Sequence, residues 1–197
     1  TALKYNTIGS QNTAVGYQSL ITNTTGASNV AVGVNSLLNN TSGSQNIAIG
    51  VSSLGLNTIG TLNIAVGYES LYNNSTGSNN TSVGNQSLFS NTSGQQNVAI
   101  GYQSSYANTF GGNNVSIGYV ALQQNTTGSQ NIAIGHSTMA ANTTGAFNSA
   151  VGFKSLRFNV VGSNNTAFGS YALHYNTTNN NSAFGYKALF ANTTGTY

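Results

Sequence analysis

The 197-residue sequence predicts an all-β fold, a parallel β-solenoid of about eleven coils. Three observations predict it: a strict seventeen-residue repeat, the absence of a 3.6-residue apolar face, and a composition rich in neutral turn-forming residues. Asn supplies 32 positions and Gly 24, while Pro, Cys, Trp and Asp are absent.

The repeat is plainest at the glycine that closes each Ala/Ser-Val/Ile/Phe-Gly triplet. It falls at Gly16, Gly33, Gly50, Gly67, Gly84, Gly101, Gly118, Gly135, Gly152 and Gly169, and an eleventh, Gly185, comes one residue early. An Asn column keeps the same step at Asn12, Asn29, Asn46, Asn63, Asn80, Asn97, Asn114, Asn131, Asn148 and Asn165, then Asn181. A second Asn column runs from Asn6 through Asn23 and Asn40 to Asn176, then Asn192. The unit reads Asn-Thr/Ser-x-Gly-x-x-Asn-x-Ala-Val/Ile-Gly-x-x-Ser/Ala-Leu-x-x, and residues 1–197 form one continuous array that begins and ends inside a unit.

Seventeen residues are too few for a helix pair, and no Asn-Gly or Asp-Gly dipeptide signals a two-residue hairpin. Two or three short strands per coil, separated by tight corners and stacked about 4.8 Å apart, satisfy the repeat. On that spacing eleven coils make a rod of roughly 55 Å.

Each column then has an expected place. The Val/Ile/Phe column from Val15 and Val32 to Phe168 and Phe184 is expected to face inward, together with the residues two places earlier, from Thr13 to Ser182. Shrinkage to Thr166 and Ser182 beside Phe168 and Phe184 fits a shared core. The Leu column, broken only at Ser105, fills that core from the next wall. Between the first two columns every residue is Ala or Ser. This strip either faces a neighbouring chain or lines a thin interior, in which case the inward face is the reverse of the one just assigned. Gly9, Gly26, Gly43 and their successors are expected to need φ > 0 at a corner, and the two Asn columns to hydrogen-bond as ladders.

The Asn-x-Ala-Val/Ile-Gly core, clearest in Asn97-Val98-Ala99-Ile100-Gly101 and Asn46-Ile47-Ala48-Ile49-Gly50, resembles the head repeats of YadA-like trimeric autotransporter adhesins. The resemblance implies a left-handed β-roll, a trimer, and attachment outside the cell. It departs from that family in its seventeen-residue step and its Asn-Thr-Thr-Gly corner, and similar repeats occur in viral and phage fibres.

Chemistry has little to work with. Only Lys4, Glu69, Lys154, Arg157 and Lys187 are charged, so a carboxylate pair is excluded and four scattered bases argue against nucleic-acid binding. No apolar run is long enough to span a bilayer. His136 and His174 occupy different columns and are expected to be wall residues. An enzyme, a cofactor and a metal site are therefore not expected. Aromatics recur after the triplet glycine (Tyr17, Tyr68, Tyr102, Tyr119, Phe153, Tyr186) and after the Leu (Tyr72, Phe89, Tyr106, Phe190), either completing the core or forming outward strips suited to sugars or partner chains. Asn-x-Ser/Thr triplets make Asn23, Asn40, Asn74, Asn91, Asn125, Asn142, Asn176 and Asn192 candidate glycan acceptors, although such a composition produces many by chance.

The expected function is structural: a rigid segment of an extracellular or cell-surface fibre, filament or adhesin whose partners are copies of itself, with a cell-surface or carbohydrate ligand as a further partner. The lack of atypical capping repeats points to a longer array or to stacking of identical ends. A viral tail-fibre shaft and an ice- or polysaccharide-binding solenoid, the latter using the Thr column, are the alternatives.

Overall fold

A chain that returns to its starting point every seventeen residues has room for one short straight run and several reversals. A computed structural model, which describes residues 1–195, shows that arrangement. Each coil contributes one three-residue strand: β1 (Thr13–Val15), β2 (Val30–Val32), β3 (Ile47–Ile49), β4 (Ile64–Val66), β5 (Thr81–Val83), β6 (Val98–Ile100), β7 (Val115–Ile117), β8 (Ile132–Ile134), β9 (Ser149–Val151), β10 (Thr166–Phe168) and β11 (Ser182–Phe184). They form one parallel sheet in chain order, and equivalent residues pair throughout, as Ala48 with Ala65. The one-residue deletion before β11 leaves this register intact, because Thr166 still faces Ser182.

The expected two or three strands per coil are thus one strand, with the rest of the coil in turns. The turns are nonetheless bonded from coil to coil: Leu37 N–H donates to the Ser53 carbonyl at 3.0 Å and Thr41 N–H to the Thr58 carbonyl at 2.9 Å. Corner backbone that would otherwise need water is paired with the next copy of itself.

The inward face of the strand is the Ala/Ser column, as in the thin-interior alternative, and the first assignment of Val/Ile/Phe to the core is reversed. Ala31, Ala48, Ala65, Ala99 and Ala133 have no exposed surface, whereas Val15, Ile49, Ile100 and Phe184 are among the exposed apolar residues. Alternation along a strand puts the middle residue of each triplet opposite its neighbours. At this position on the strand the interior takes nothing larger than Ala or Ser. The paired changes Phe168/Thr166 and Phe184/Ser182 therefore lie on the outer surface, where Phe168 and Phe184 stack with ring centroids 5.5 Å apart.

Leucine fills the interior from the opposite wall, and Leu20, Leu37, Leu54, Leu71, Leu88, Leu122, Leu156 and Leu173, with Met139, are fully buried. These residues have left-handed backbone, for example Leu37 at φ 48° and Leu88 at φ 49°. Left-handed geometry costs an L-residue about 1–2 kcal/mol, which burial of a leucine side chain, worth about 1.5–3 kcal/mol, offsets. Ser105 breaks the column and divides the apolar core into two stretches. Its hydroxyl donates to Ser116 Oγ at 2.8 Å, and Ser104 Oγ donates to the same oxygen at 2.7 Å. Serine has replaced both the leucine and the facing alanine, so that each hydroxyl finds a partner.

The conformation expected at the corner glycines is found at the other glycine column. Positive φ belongs to the triplet glycine, as at Gly84 with φ +134°, where a Cβ would also lie 2.5 Å from the Gly101 carbonyl oxygen. Gly77, in the corner column, lacks positive φ. A Cβ there would meet the Gly94 carbonyl oxygen at 2.5 Å, so glycine is required by the closeness of the next coil.

Ala99→Val is expected to destabilise the rod by about 1–3 kcal/mol through overpacking. Ile100→Thr, one residue later on the outer face, should change stability by less than about 0.5 kcal/mol. Urea denaturation midpoints of the two variants measure the difference.

Candidate interaction surfaces

Inside the coil, two asparagine ladders run along the rod. Asn40 Nδ2 donates one hydrogen to Asn23 Oδ1 at 2.8 Å and the other to the Gly43 carbonyl at 2.9 Å, while Asn40 Oδ1 accepts from Asn57 Nδ2 at 2.8 Å. In the second ladder, Asn46 donates its backbone N–H to Asn29 Oδ1 at 3.0 Å, and its Nδ2 to that oxygen at 3.2 Å and to the Gly60 carbonyl at 2.8 Å. Each amide thus satisfies a corner carbonyl and a neighbouring coil together. Between the end coils both columns are buried, and an amide fits where a carboxylate would not, because only an amide both donates and accepts. At the shortened coil, Asn165 Nδ2 donates to the Thr178 carbonyl at 3.0 Å in place of a glycine carbonyl.

The candidate glycan acceptors are members of the first ladder. Asn23, Asn40, Asn74, Asn91, Asn125, Asn142 and Asn176 have no exposed surface, and Asn192 is half-buried with its Nδ2 3.2 Å from Asn176 Oδ1. In the folded rod the nitrogen that would carry a glycan is turned inward and bonded, so these positions are not accessible acceptors. The Thr column is also engaged: Thr41 Oγ1 donates to the Thr58 carbonyl at 3.1 Å and Thr109 Oγ1 to the Thr126 carbonyl at 3.0 Å. Its hydroxyl hydrogens are directed at backbone rather than displayed as a free array.

The outer surface has two distinctive walls. On the strand wall, aliphatic residues repeat from β1 to β9 and give way to Phe168 and Phe184 in the last two strands, with Ile47, Ile49, Ile64, Ile100 and Ile132 all exposed. On the wall built by the turns that follow, the aromatics face outward in stacks rather than completing the core. Tyr72, Phe89 and Tyr106 stack at 5.6 and 5.1 Å between centroids. Tyr102 stacks on Tyr119 at 5.3 Å, and His136 lies against Tyr119 at 4.9 Å. An amide run crosses the same wall, with Gln86 Nε2 donating to Glu69 Oε2 at 3.0 Å and Gln103 Nε2 to Gln86 Oε1 at 2.9 Å. Hydrogen bonding to Glu69, and then its negative charge, raises the Tyr68 phenol above its usual range.

The bases are less scattered than their sequence positions imply. Lys154, Arg157 and Lys187 come from the last three coils and fall on this wall. Lys154 Nζ lies 4.8 Å from the Phe153 ring centroid, the Arg157 guanidinium carbon 5.0 Å from that of Phe158, and Lys187 Nζ 5.3 Å from that of Tyr186. His174 is buried beneath them, 5.2 Å from Phe190 in a parallel stack. Its Nδ1 donates to the Lys154 carbonyl at 2.8 Å. Burial lowers its pKa, that hydrogen bond opposes the shift, and the charges of Arg157 and Lys154 add to it.

Chemical sites are not assembled among the described residues. No pocket is enclosed, and no three His, Asp or Glu side chains converge to hold a metal ion. No helix is long and apolar enough to cross a membrane. Sequence reasoning missed the basic cluster because it treated the bases along the chain. The seventeen-residue step could have located it, since Lys154 and Tyr171 occupy equivalent positions in adjacent coils. Comparison with family models, with curated proteins and with solved structures finds no match.

Asn91→Asp should destabilise the rod by about 3–5 kcal/mol, because an ionised carboxylate cannot donate to Asn74 Oδ1 or the Gly94 carbonyl and is buried without a countercharge. Thermal melts at pH 7 check this. For His174 the native pKa lies below the unfolded value of about 6.5, so its contribution is present above that pH and lost as pH falls through the native pKa. Between pH 7.5 and 5 the wild-type urea midpoint should therefore drop more than that of His174→Phe, a residue that Phe89 and Phe190 already place in this column.

Proposed function

We propose that the chain is a structural element, a rigid β-solenoid segment of an extracellular fibre, filament or adhesin that associates laterally with copies of itself. The observation that carries this reading is the uninterrupted strand wall: equivalent residues pair from β1 to β11, and the outward side chains are exposed or half-buried and mostly aliphatic. On a coil spacing of about 4.8 Å the wall is about 50 Å long. A continuous apolar band of that length is unusual on a solitary soluble protein and common where another surface covers it. Lys4, Glu69, Lys154, Arg157 and Lys187 all lie outside the strands, so two copies can approach there without burying charge.

Rigidity supports the same role. Two side-chain ladders and backbone bonds from both strand and turns tie each coil to the next, so bending at one coil breaks several hydrogen bonds at once. The resemblance of the Asn-x-Ala-Val/Ile-Gly core to trimeric adhesin heads, and of the composition to viral fibre repeats, supports a role outside the cell or on a virion. The engaged Thr hydroxyls make the ice-binding alternative less favourable.

Sedimentation of the purified chain should reveal a discrete lateral oligomer, dimer or trimer, at micromolar concentration. The triple variant Ile49→Lys, Ile100→Lys, Ile132→Lys should sediment as a monomer while keeping its circular dichroism spectrum. A wild-type chain that remains a monomer at millimolar concentration would overturn lateral association.

A further inference from the structure

A second period runs along the rod at the corner that leads into each strand. Five residues before the first strand residue, the coils of β1, β4, β7 and β10 carry Ile8, Ile59, Phe110 and Val161, one apolar residue every third coil. Each gap between them holds two hydroxyl residues: Thr25 and Ser42, Thr76 and Ser93, Thr127 and Thr144. The four apolar side chains are 78, 54, 64 and 60 % exposed, so they stand out from the corner as knobs. At a coil rise of about 4.8 Å the knobs are about 14 Å apart. Three residues earlier, the same coils carry Tyr5, Leu56, Ala107 and Phe158.

The stack itself accounts for features that recur in every coil, such as Asn57 and Asn74 in their ladder or Gly60 and Gly77 beside the next carbonyl. Those demands do not produce a period of three, and an exposed tip gains the fold little by being Ile or Phe rather than Thr. The remaining source of the period is whatever lies against the corner. This corner adjoins the strand wall, with exposed Leu62 and Phe147 between the two, and the five charged residues all lie in other columns. A strand three residues wide on a rod of about 50 Å offers roughly 500 Å² of contact, short of the roughly 800 Å² per partner in a stable complex. Adding the corner makes up the difference. A second copy of the chain is the occupant that fits: it is uncharged here as well, and its own corner repeats every three coils, so each knob meets an equivalent place.

We propose, on the basis of the lateral association above, that this corner belongs to the contact between copies and that its knobs set the axial register, each knob of one rod lying against Thr or Ser of the other. Knob against knob would hold two rods apart and leave a gap the depth of a side chain at the two hydroxyl coils that follow. Displacement along the axis removes the gap. The larger side chain then faces the smaller one, and the surfaces close to van der Waals contact.

The test is sedimentation equilibrium of the full chain and its variants, with circular dichroism as the check on folding. Ile59→Ser with Phe110→Ser should raise the dissociation constant of the oligomer at least tenfold. Thr76→Phe with Thr127→Phe adds apolar surface in a column where Phe110 already shows that phenylalanine is accepted. It should nonetheless weaken association at least tenfold, because at every displacement that kept the original knobs apart an added ring now meets a knob or another added ring. Asn85→Tyr, which adds a ring to the aromatic wall instead, should change nothing. Tighter association in Thr76→Phe with Thr127→Phe, no change in either pair, or an equal loss in Asn85→Tyr would overturn the corner contact alone, provided that the triple lysine variant of the strand wall still disperses the rods. A wild-type chain that stays monomeric at millimolar concentration would remove lateral association and the corner contact together.

Discussion

Each residue of this protein has its own equivalent as a neighbour, one coil above and one below, and the structure follows from that constraint. A buried side chain must then be able to pair with a copy of itself. Asparagine does so because its amide donates and accepts at once, and two of its columns run through the interior, Asn23 to Asn40 in one and Asn29 to Asn46 in the other. A charged column would repel itself at about 4.8 Å, which accounts for five charged residues in 197. Low charge is a condition of the stack before it is a statement about ligands.

The asparagine ladders also explain the thinness of the coil. Amides at two corners bond the glycine carbonyls and draw the walls together, leaving room on the strand for Ala or Ser and on the opposite wall for one Leu. Larger β-branched residues are displaced to the outside, where they extend the sheet and create the apolar wall. Interior demands thus generate the exterior features: the aliphatic band on the strands, the ring stacks on the turns, and, where the stack turns aside at Tyr171, a ring with Lys154 over it. A serine replacing an interior Leu or Ala is accepted only where another hydroxyl or carbonyl answers it, as at Ser105 and Ser116 or at Ser70 and Ser82.

Much of this was legible in the repeat. Its step of seventeen, the lack of helical period and the neutral composition led to a parallel solenoid, and the Leu column was assigned to the core. The inward face was misread because β-branched residues were equated with burial. Their preference for strands is a backbone and packing preference that an outer face satisfies equally well. Likewise Asn-x-Ser/Thr triplets suggested candidate acceptors, although the same asparagines, apart from the half-buried Asn192, have no exposed surface. The basic cluster was hidden for another reason, since proximity in a solenoid follows coil number and column rather than distance along the chain.

By itself, the sequence determined the period, the parallel stacking of equivalents and the near exclusion of charge, because each is a property of the repeat unit and recurs in every copy. Only the tertiary structure decided which side of each strand faces in, which glycine takes positive φ and which needs mere proximity, and that Lys154 comes to lie over Tyr171. Those outcomes depend on the distance across the coil, which is set jointly by walls that one column of letters cannot describe.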